Sequence, residues 1–525
     1  MLTIYPRFAL PCLFAAALSA QPALLMNRYD EAVTGANLHE TVLTPANVRP
    51  ATFGKLYSYY VDGSVFAQPL YVPAVQVPGR GVHNLLYVAT MNDRVYAFDA
   101  DRAGPPLWLR NLTDEMAGIT PVPVTDITNN ADLNVVGNVG ILGTPVIDRA
   151  AGALYLVART RESGKYFQRL YKMSIATGAD LVPPVVVAAA VKSTAKDAVD
   201  GELHFDPKGG NQRPGLVLVR GKVIIAWASH EDIRPYHGWV MAYDDANLKQ
   251  AAVLCMSPDG TEGGIWQSGR GPAVDADGAI YYEVGNGSFN GTRDFGTSLI
   301  KLSVRDGAFS VDDYFTPHDY EALNARDADL GSTGPLLVPG TNLLVAGSKK
   351  GIIYLFDTRK LGHLTPDDSG VLQSFENNGG RLLAGPAYWD GPLGRMLYVW
   401  CEADVLKAYR FDGDRIATTP VAKGAAGSRG SPGGALTISA DGKKPATGIV
   451  WGTLTVSRSA DHGNAAGVLR AFDADGLQEL WNSEQQPKRD RLGTLVKFNP
   501  PTVIAGRVYV PNYDNAVNVY GLLPR

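Results

Sequence analysis

Cysteine is scarce in this chain of 525 residues, which contains only Cys12, Cys255 and Cys401. Cys12 lies in an apolar N-terminal stretch, and the other two fall in separate copies of a repeat described below. Because a disulfide requires Cα atoms within about 7 Å of each other, we predict that Cys255 and Cys401 are buried, unpaired thiols. The sequence has no Cys-x-x-Cys-His motif, which excludes a covalently attached haem of that type.

The chain also has little excess of either charge and few long apolar runs. Its 48 Lys and Arg residues nearly balance 52 Asp and Glu residues, for a net charge of −4. Without a basic run, a nucleic-acid partner is not expected. The one extended apolar run follows Arg7 and ends at Ala20, which is typical of a signal peptide. We therefore expect a signal peptide at residues 1–20 and a periplasmic or secreted mature protein without a membrane span.

Turn residues, in contrast, are abundant, with 57 Gly and 34 Pro separating short apolar segments. Residues 84–100 show the pattern most clearly: a strand ending in Tyr-Val-Ala-Thr, an Asn-Asp turn, and a second strand reading Val-Tyr-Ala-Phe-Asp. The chain repeats this unit with variations to its end. The eight copies begin at residues 67, 143, 214, 271, 334, 385, 433 and 500.

The last copy has three strands where four are expected, and a spare strand, Lys55–Val61, precedes the first copy. Pairing the spare strand with the last copy would complete its sheet and leave no open edge. The sequence therefore predicts an all-β fold: a single eight-bladed β-propeller of four-stranded antiparallel blades, closed by an N-terminal strand in the last blade. We assign residues 21–54 to an N-terminal extension and residues 55–525 to the propeller.

The most informative motifs lie in residues 263–289, which contain Gly-Gly-x-Trp, then Asp-x-x-Gly-x-Ile-Tyr, then Gly-Asn-Gly. With these motifs in this order, and with the blade repeat, the chain resembles the quinoprotein alcohol dehydrogenase-like family. The resemblance implies an eight-bladed propeller that holds pyrroloquinoline quinone (PQQ) and Ca²⁺. It also implies a dehydrogenase that oxidises a small-molecule alcohol or sugar and passes the electrons to a separate acceptor.

Two residues of this chain match the family's cofactor and metal positions, and a third lies near one of them. The resemblance implies that Trp266 is the flat surface on which the quinone ring stacks. Asn286 would offer its side-chain oxygen to Ca²⁺, a cation that prefers oxygen ligands. Glu231 lies near the family's metal-binding glutamate, although the spacing differs by two residues. The alternatives are that Trp266 packs between blades and that Asn286 is only a turn residue.

Residues 314–331 resemble the family's segment Thr-Pro-His-Asp…Trp-Asp-x-Asp, with Arg326 in place of its tryptophan. The match implies that Asp327 is the general base that accepts the alcohol proton and that Asp329 is a further metal ligand. It also implies that Lys349 bonds the quinone oxygens. The alternatives are that the two aspartates cap a surface loop and that Lys349 is a solvated lysine in a turn.

Two departures from the family leave a second function open. No two cysteines adjoin, so the family's disulfide ring is absent, and Gly433-Gly-Ala435 stands where a tryptophan is expected. The same fold would also suit a non-catalytic secreted propeller that binds a protein or a glycan. The two hypotheses differ in a geometric expectation, because an enzyme requires the site residues to converge on one cavity and a scaffold does not.

Overall fold

The computed structural model describes residues 22–128, 135–460 and 463–524. The predicted signal peptide lies outside this range. Within it, the chain forms eight sheets of four to six strands and one separate hairpin, Ala190–Lys192 with Glu202–His204. Short turns between alternating apolar segments favour this architecture, because each sheet buries apolar side chains against its neighbours.

Each of the first four sheets starts near the Pro or Gly residues that open a copy of the repeat. Most of its strands are consecutive in the chain and antiparallel. The first sheet contains Leu70–Val77, Gly81–Ala89, Arg94–Asp99 and Trp108–Asn111. The second contains Val146–Asp148, Ala153–Glu162, Lys165–Ser174 and Val185–Val186, extended by Ile119–Pro123 and Asn138–Val139. The third contains Gly210–Asn211, Val217–Val219, Lys222–Ser229, Trp239–Asp244 and Gln250–Cys255. The fourth contains Ala273–Val274, Ile280–Glu283, Leu299–Arg305 and Ala308–Phe315.

The remaining four sheets follow the same order, and two of them include strands from the N-terminal part of the chain. The fifth contains Leu336–Leu337, Leu343–Gly347, Ile352–Asp357 and Gln373–Glu376. The sixth contains Ala387–Gly391, Gly394–Val399, Val405–Asp412, Arg415–Ile416 and Ala422–Gly427. The seventh contains Ala36–Asn37, Ala435–Ser439, Ile449–Thr455, Ala466–Asp473, Glu479–Asn482 and Gly493–Thr494. The eighth contains Phe53–Tyr60, Thr502–Ile504, Arg507–Asn512 and Ala516–Leu522.

Helices are few and short in the described part of the chain. The α-helices are Val124–Ile127, Tyr320–Ala325 and Pro487–Asp490, and the 3₁₀ turns are Glu115–Ala117 and Gln267–Gly269. None of these helices has the length and apolar character that crossing a membrane requires. Cys255 and Cys401 are buried and unpaired, as predicted.

The eighth sheet is completed by a strand from the start of the chain. The strand Phe53–Tyr60 pairs antiparallel with Ala516–Leu522, close to the predicted Lys55–Val61. Phe53 packs edge-on against Trp481 of the seventh sheet, with ring centroids 5.0 Å apart. On the other side, Tyr59 stacks on Phe98 of the first sheet at 4.3 Å. The eighth sheet therefore packs against both the seventh and the first.

The other sheets pack in the same sequential way. Each sheet shares a cluster of buried apolar side chains with the next one along the chain. One such cluster joins the first and second sheets to Val517 and Val519 of the eighth. The order of contacts is thus cyclic, and the last sheet returns to the first.

The segment Leu24–Asn37 joins most of the sheets to one another. Its backbone or side-chain groups hydrogen-bond to the first strand of seven of the eight sheets, in chain order. The partners are Tyr71, Ile147, Val274, Leu337, Tyr388, Ile438 and Val503. Within this segment, the buried Asn27 donates to Gln68 Oε1 at 3.1 Å and to Thr144 Oγ1 at 3.3 Å, and accepts from the Gly271 amide at 3.1 Å. This part of the predicted N-terminal extension is therefore integrated into the core.

Candidate functional site

A cavity of about 370 Å³ lies at the end of the sheets where their second strands end and their first strands begin. Loops after the second strands of the third, fourth and fifth sheets supply much of its lining. All six residues predicted from the sequence line this cavity: Glu231, Trp266, Asn286, Asp327, Asp329 and Lys349. They are up to 118 positions apart in the chain (349 − 231), so the fold brings them together.

A larger cavity of about 570 Å³ lies between the turns of the third and fourth sheets. About half of its lining residues are charged, and one pair of them, Arg305 and Asp312, forms an ion pair at 3.4 Å. It contains none of the six predicted residues. The predicted site residues therefore all lie in the smaller of the two cavities.

Lys349 is the electrostatic centre of the smaller cavity. It follows the strand Leu343–Gly347, and its Nζ lies 2.5 Å from Asp327 Oδ1 and 2.8 Å from Asp329 Oδ1. Burial disfavours the charged ammonium, but the two carboxylates outweigh this effect and raise the pKa of Lys349 above its ordinary value. Its side chain is only 11% exposed, so it is not a solvated turn lysine.

Trp266 forms one wall of the cavity. The Lys349 ammonium lies over its ring, 5.2 Å from the centroid, which is a cation–π distance. On another side, Phe498 meets the indole edge-on at 6.0 Å. The loop that contains Gly285 passes close to this wall. A Cβ on Gly285 would lie 2.9 Å from Asp329 Oδ2 and 3.5 Å from the indole. Glycine at this position allows the loop to approach.

Asn286 is oriented by Asp327. Its Nδ2 donates to Asp327 Oδ1 at 2.7 Å, which leaves its Oδ1 buried without a hydrogen-bond donor. Asp329 is 1% exposed. Among the described residues, its Oδ2 has no hydrogen-bond partner, and its Oδ1 has only the Lys349 ammonium, without hydrogen-bond geometry. Buried oxygens left unpaired in this way are costly. They have the chemistry of ligands for a hard cation.

These side chains alone nevertheless do not form a complete set of metal ligands. In the described part of the chain, no group of three or more His, Cys, Asp and Glu residues is arranged to hold a metal ion. Asn286 supplies a donor outside those residue types, but Lys349 lies against both aspartates. A bound cation would therefore share Asp327 and Asp329 with the Lys349 ammonium.

The loop after the second strand of the third sheet supplies Glu231 and His230. Arg159 donates to His230 Nε2 at 2.7 Å, and burial beside this cation holds the pKa of His230 well below its usual value. His230 is therefore neutral. Glu231, Asp327 and Phe498 have left-handed backbones, with φ of 51°, 50° and 67°. Strained backbone of this kind clusters at functional sites.

Several cavity residues were not predicted from the sequence, and two of them form a close contact. Arg213 and Phe498 both line the cavity, and the Arg213 guanidinium lies 5.1 Å from the Phe498 ring centroid. Each residue comes just before the first strand of its sheet, as Trp266 does in the fourth sheet. Aligning the copies of the repeat by that position would have identified both residues as candidates.

The cyclic packing of antiparallel sheets defines the class of this fold as a β-propeller, and its architecture is that of quinoprotein alcohol dehydrogenases. It is similar to a quinohemoprotein alcohol dehydrogenase from Pseudomonas putida HK5, with a TM-score of 0.56 at 16% identity, over 96% of this chain and 82% of the other. A quinohemoprotein alcohol dehydrogenase from Comamonas testosteroni gives 0.51 at 14%, over 96% and 81%. A europium-containing methanol dehydrogenase gives 0.55 at 13%, over 95% and 98%. No protein-family model and no curated protein matches the sequence.

Proposed function

We propose that the protein is a PQQ-dependent dehydrogenase that oxidises an alcohol or a sugar. The observation that carries this proposal is the convergence of six residues from separate loops on one cavity. A scaffold that binds a protein or a glycan does not require these six residues to converge on one cavity. The convergence therefore favours the enzyme hypothesis over the scaffold hypothesis.

We infer that the eight sheets are the blades of one closed ring. Three observations support this inference: the cyclic order of the shared cores, the strand Phe53–Tyr60 in the eighth sheet, and the contacts of that sheet with both neighbours. Closure matters for function because it holds loops from different blades around one axis. The site residues can then keep a fixed separation.

The cavity has the chemistry that PQQ requires. When bound, PQQ supplies the two-electron acceptor for the hydride that leaves the carbinol carbon. Trp266 offers a flat indole face for an aromatic ring, and Lys349 offers an ammonium for its oxygens. The cavity lining also contains four cationic side chains that can pair with the carboxylates of an anionic quinone; these are Arg213, Lys349, Arg381 and Lys497. Four carboxylates line it as well: Glu231, Asp232, Asp327 and Asp329.

Asp327 is the proposed general base. Its side chain is 56% exposed, so it can reach a substrate hydroxyl from the cavity side. Asn286 and Lys349 both donate to its Oδ1, and these bonds fix the carboxylate while Oδ2 remains to accept the alcohol proton. The hydroxyl proton then resides on Asp327, and the substrate becomes the carbonyl product as its hydride leaves.

Asn286, Asp329 and Glu231 are the proposed metal-binding residues. The unpaired buried oxygens of Asn286 and Asp329 support a role in holding Ca²⁺ or a trivalent lanthanide ion. The europium in the name of one structural neighbour makes a lanthanide worth testing beside Ca²⁺. Because the sequence has no covalent haem motif, the electrons would pass to a separate acceptor. The N-terminal pattern supports a periplasmic or secreted location.

Reconstitution tests this function directly. Purified protein would be titrated with PQQ in the presence of Ca²⁺ or La³⁺, and then assayed for dye reduction with a panel of alcohols and sugars. We expect a bound-quinone spectrum and substrate-dependent reduction. No spectral change at high micromolar PQQ with either metal would refute the proposal.

Two variants separate catalysis from binding. Asp327→Asn keeps the shape of the side chain and removes the base, so the rate should fall by about 10²-fold or more while PQQ still binds. Asp277→Asn, in an exposed turn of the fourth sheet, is the matched control and should leave the rate unchanged. An equal rate for Asp327→Asn and wild type would exclude Asp327 as the base.

A further inference from the structure

We propose that Arg213 is a carboxylate-binding residue of the cavity. The proposal rests on the function above only for the identity of the bound molecule. Arg213 is 8% exposed, and its guanidinium is held between two aromatic rings, 5.7 Å from the centroid of Phe66 and 5.1 Å from that of Phe498. These rings fix the position of the cation without using its N–H donors.

The other buried arginines behave differently. Arg28 donates to the carbonyls of Leu436 and Pro386, and Arg270 donates to those of Thr333 and Val33. Arg159 donates to the Gly210 carbonyl and to His230. Each of these three guanidinium groups therefore has a structural task. In the described part of the chain, the Arg213 guanidinium makes cation–π contacts but no hydrogen bond to an acceptor, and Glu231 and Tyr513 attract it electrostatically.

None of the Arg213 nitrogen atoms is among the fully buried side-chain atoms that lack a hydrogen-bond partner, so its N–H donors face the cavity. Burial of the rest of the side chain disfavours the charged form and lowers the pKa of Arg213. A fold that keeps such a group beside its main cavity has a use for the donors. A carboxylate is the group that best matches the planar fork of an arginine, since two parallel N–H···O bonds can form in one plane.

The carboxylate can come from two sources. PQQ itself carries three carboxyl groups, and Arg213 shares the cavity with the proposed stacking residue Trp266. Alternatively, the substrate can be acidic, such as a hydroxy acid. Both sources present the same chemistry to Arg213, and the experiment below separates them.

The central variant is Arg213→Met, which keeps an unbranched side chain between Phe66 and Phe498 but removes the charge and the donors. In ligand-free protein, its Tm should equal or exceed that of wild type, because the substitution breaks no hydrogen bond and removes a cation that burial disfavours. Arg28→Met is the structural control and should lower the Tm, because it leaves the carbonyls of Leu436 and Pro386 without donors. A lower Tm for Arg213→Met, of the same size as for Arg28→Met, would show that Arg213 is a structural residue and overturn the proposal.

Three measurements then locate the carboxylate. Fluorescence titration compares PQQ with its trimethyl ester, and a weakening of about tenfold or more for PQQ alone in Arg213→Met assigns the cofactor as the source. If PQQ affinity is unchanged, a selective rise in KM for glycerate over glycerol assigns the substrate. If wild type binds no PQQ, the proposed function fails, and thermal shifts with glycerate and citrate still decide the matter. A shift in wild type that Arg213→Met lacks supports the proposal, and equal behaviour of both proteins in all three measurements overturns it.

Discussion

Replacing Lys349 by methionine tests how the site balances its charge. The variant leaves the carboxylate of Asp329, which is 1% exposed, without the one cation that pairs with it among the described residues. Removing one partner of a buried ion pair costs about 3–5 kcal/mol. The second pair of Lys349 is with Asp327, whose side chain is 56% exposed, so it adds at most about 1 kcal/mol. We therefore expect a loss of at least about 3 kcal/mol in the free energy of unfolding.

The metal provides the decisive comparison. In the variant, a cation can occupy the carboxylates without competing with an ammonium, and at 100 times its Kd a bound ligand stabilises a protein by about 2.7 kcal/mol. Urea denaturation of Lys349→Met should therefore show the full loss in EDTA and near recovery with Ca²⁺ or La³⁺. Wild type should respond less to the metal.

A neighbouring lysine supplies the control for this prediction. Lys350 pairs with Asp319 at 3.1 Å, but both side chains are partly exposed, at 44% and 27%. Lys350→Met should thus change the stability by less than about 1 kcal/mol and should not alter the response to metal. The reasoning would be refuted if Lys349→Met were as stable as wild type in EDTA, or if the metal stabilised both proteins equally.

Three other predictions concern the core. Asn27→Ala removes three buried hydrogen bonds and should destabilise the protein by about 3 kcal/mol in urea, whereas the exposed Asn247→Ala should cost less than about 0.5 kcal/mol; equal midpoints would contradict this. Burial raises the pKa of Glu283 from 4.5 to about 8. Between these pH values the folded state binds a proton that the unfolded state has lost, so the free energy of unfolding should fall as the pH rises from about 4.5 to about 8. Glu283→Gln should flatten this dependence of stability on pH, and an unchanged dependence would exclude Glu283 as its source. Burial raises the pKa of the Cys255 thiol to about 12 and also raises that of Cys401. Neither thiol should therefore be alkylated until urea unfolds the protein. Rapid alkylation of either cysteine in the native protein, detected by peptide mass mapping, would contradict this.

Much of the fold follows from local patterns in the sequence. The alternation of apolar residues and the spacing of turns predicted the repeated strands, and the missing strand of the last copy predicted the pairing now seen for Phe53–Tyr60. The segment Leu24–Asn37 could not be predicted in this way. Most of its bonds to the sheets use backbone groups, which impose no periodic side-chain pattern.

The site was predictable where a motif marks it and not elsewhere. Trp266 and Asn286 lie in Gly-rich motifs, and the fold brings them to the same cavity as Lys349. The ammonium of Lys349 could not be told from a solvated one by sequence, because its burial depends on loops of the fourth and fifth sheets. Arg213 carries no family motif, and only an alignment of the repeat copies marks its position. Its lack of a hydrogen-bond acceptor among the described residues is seen only in the structure.

The threading of Leu24–Asn37 constrains how this polypeptide can reach its native state. Arg28 bonds to Leu436, 408 positions away, and Tyr29 bonds to Val503, 474 positions away. Such partners do not exist until nearly the whole chain has been synthesised, and contacts of high sequence separation slow folding. The segment Leu24–Asn37 therefore stays exposed, with unpaired hydrogen-bonding groups, until the C-terminal strands have formed. Early folding intermediates are consequently prone to aggregate and are expected to bind chaperones.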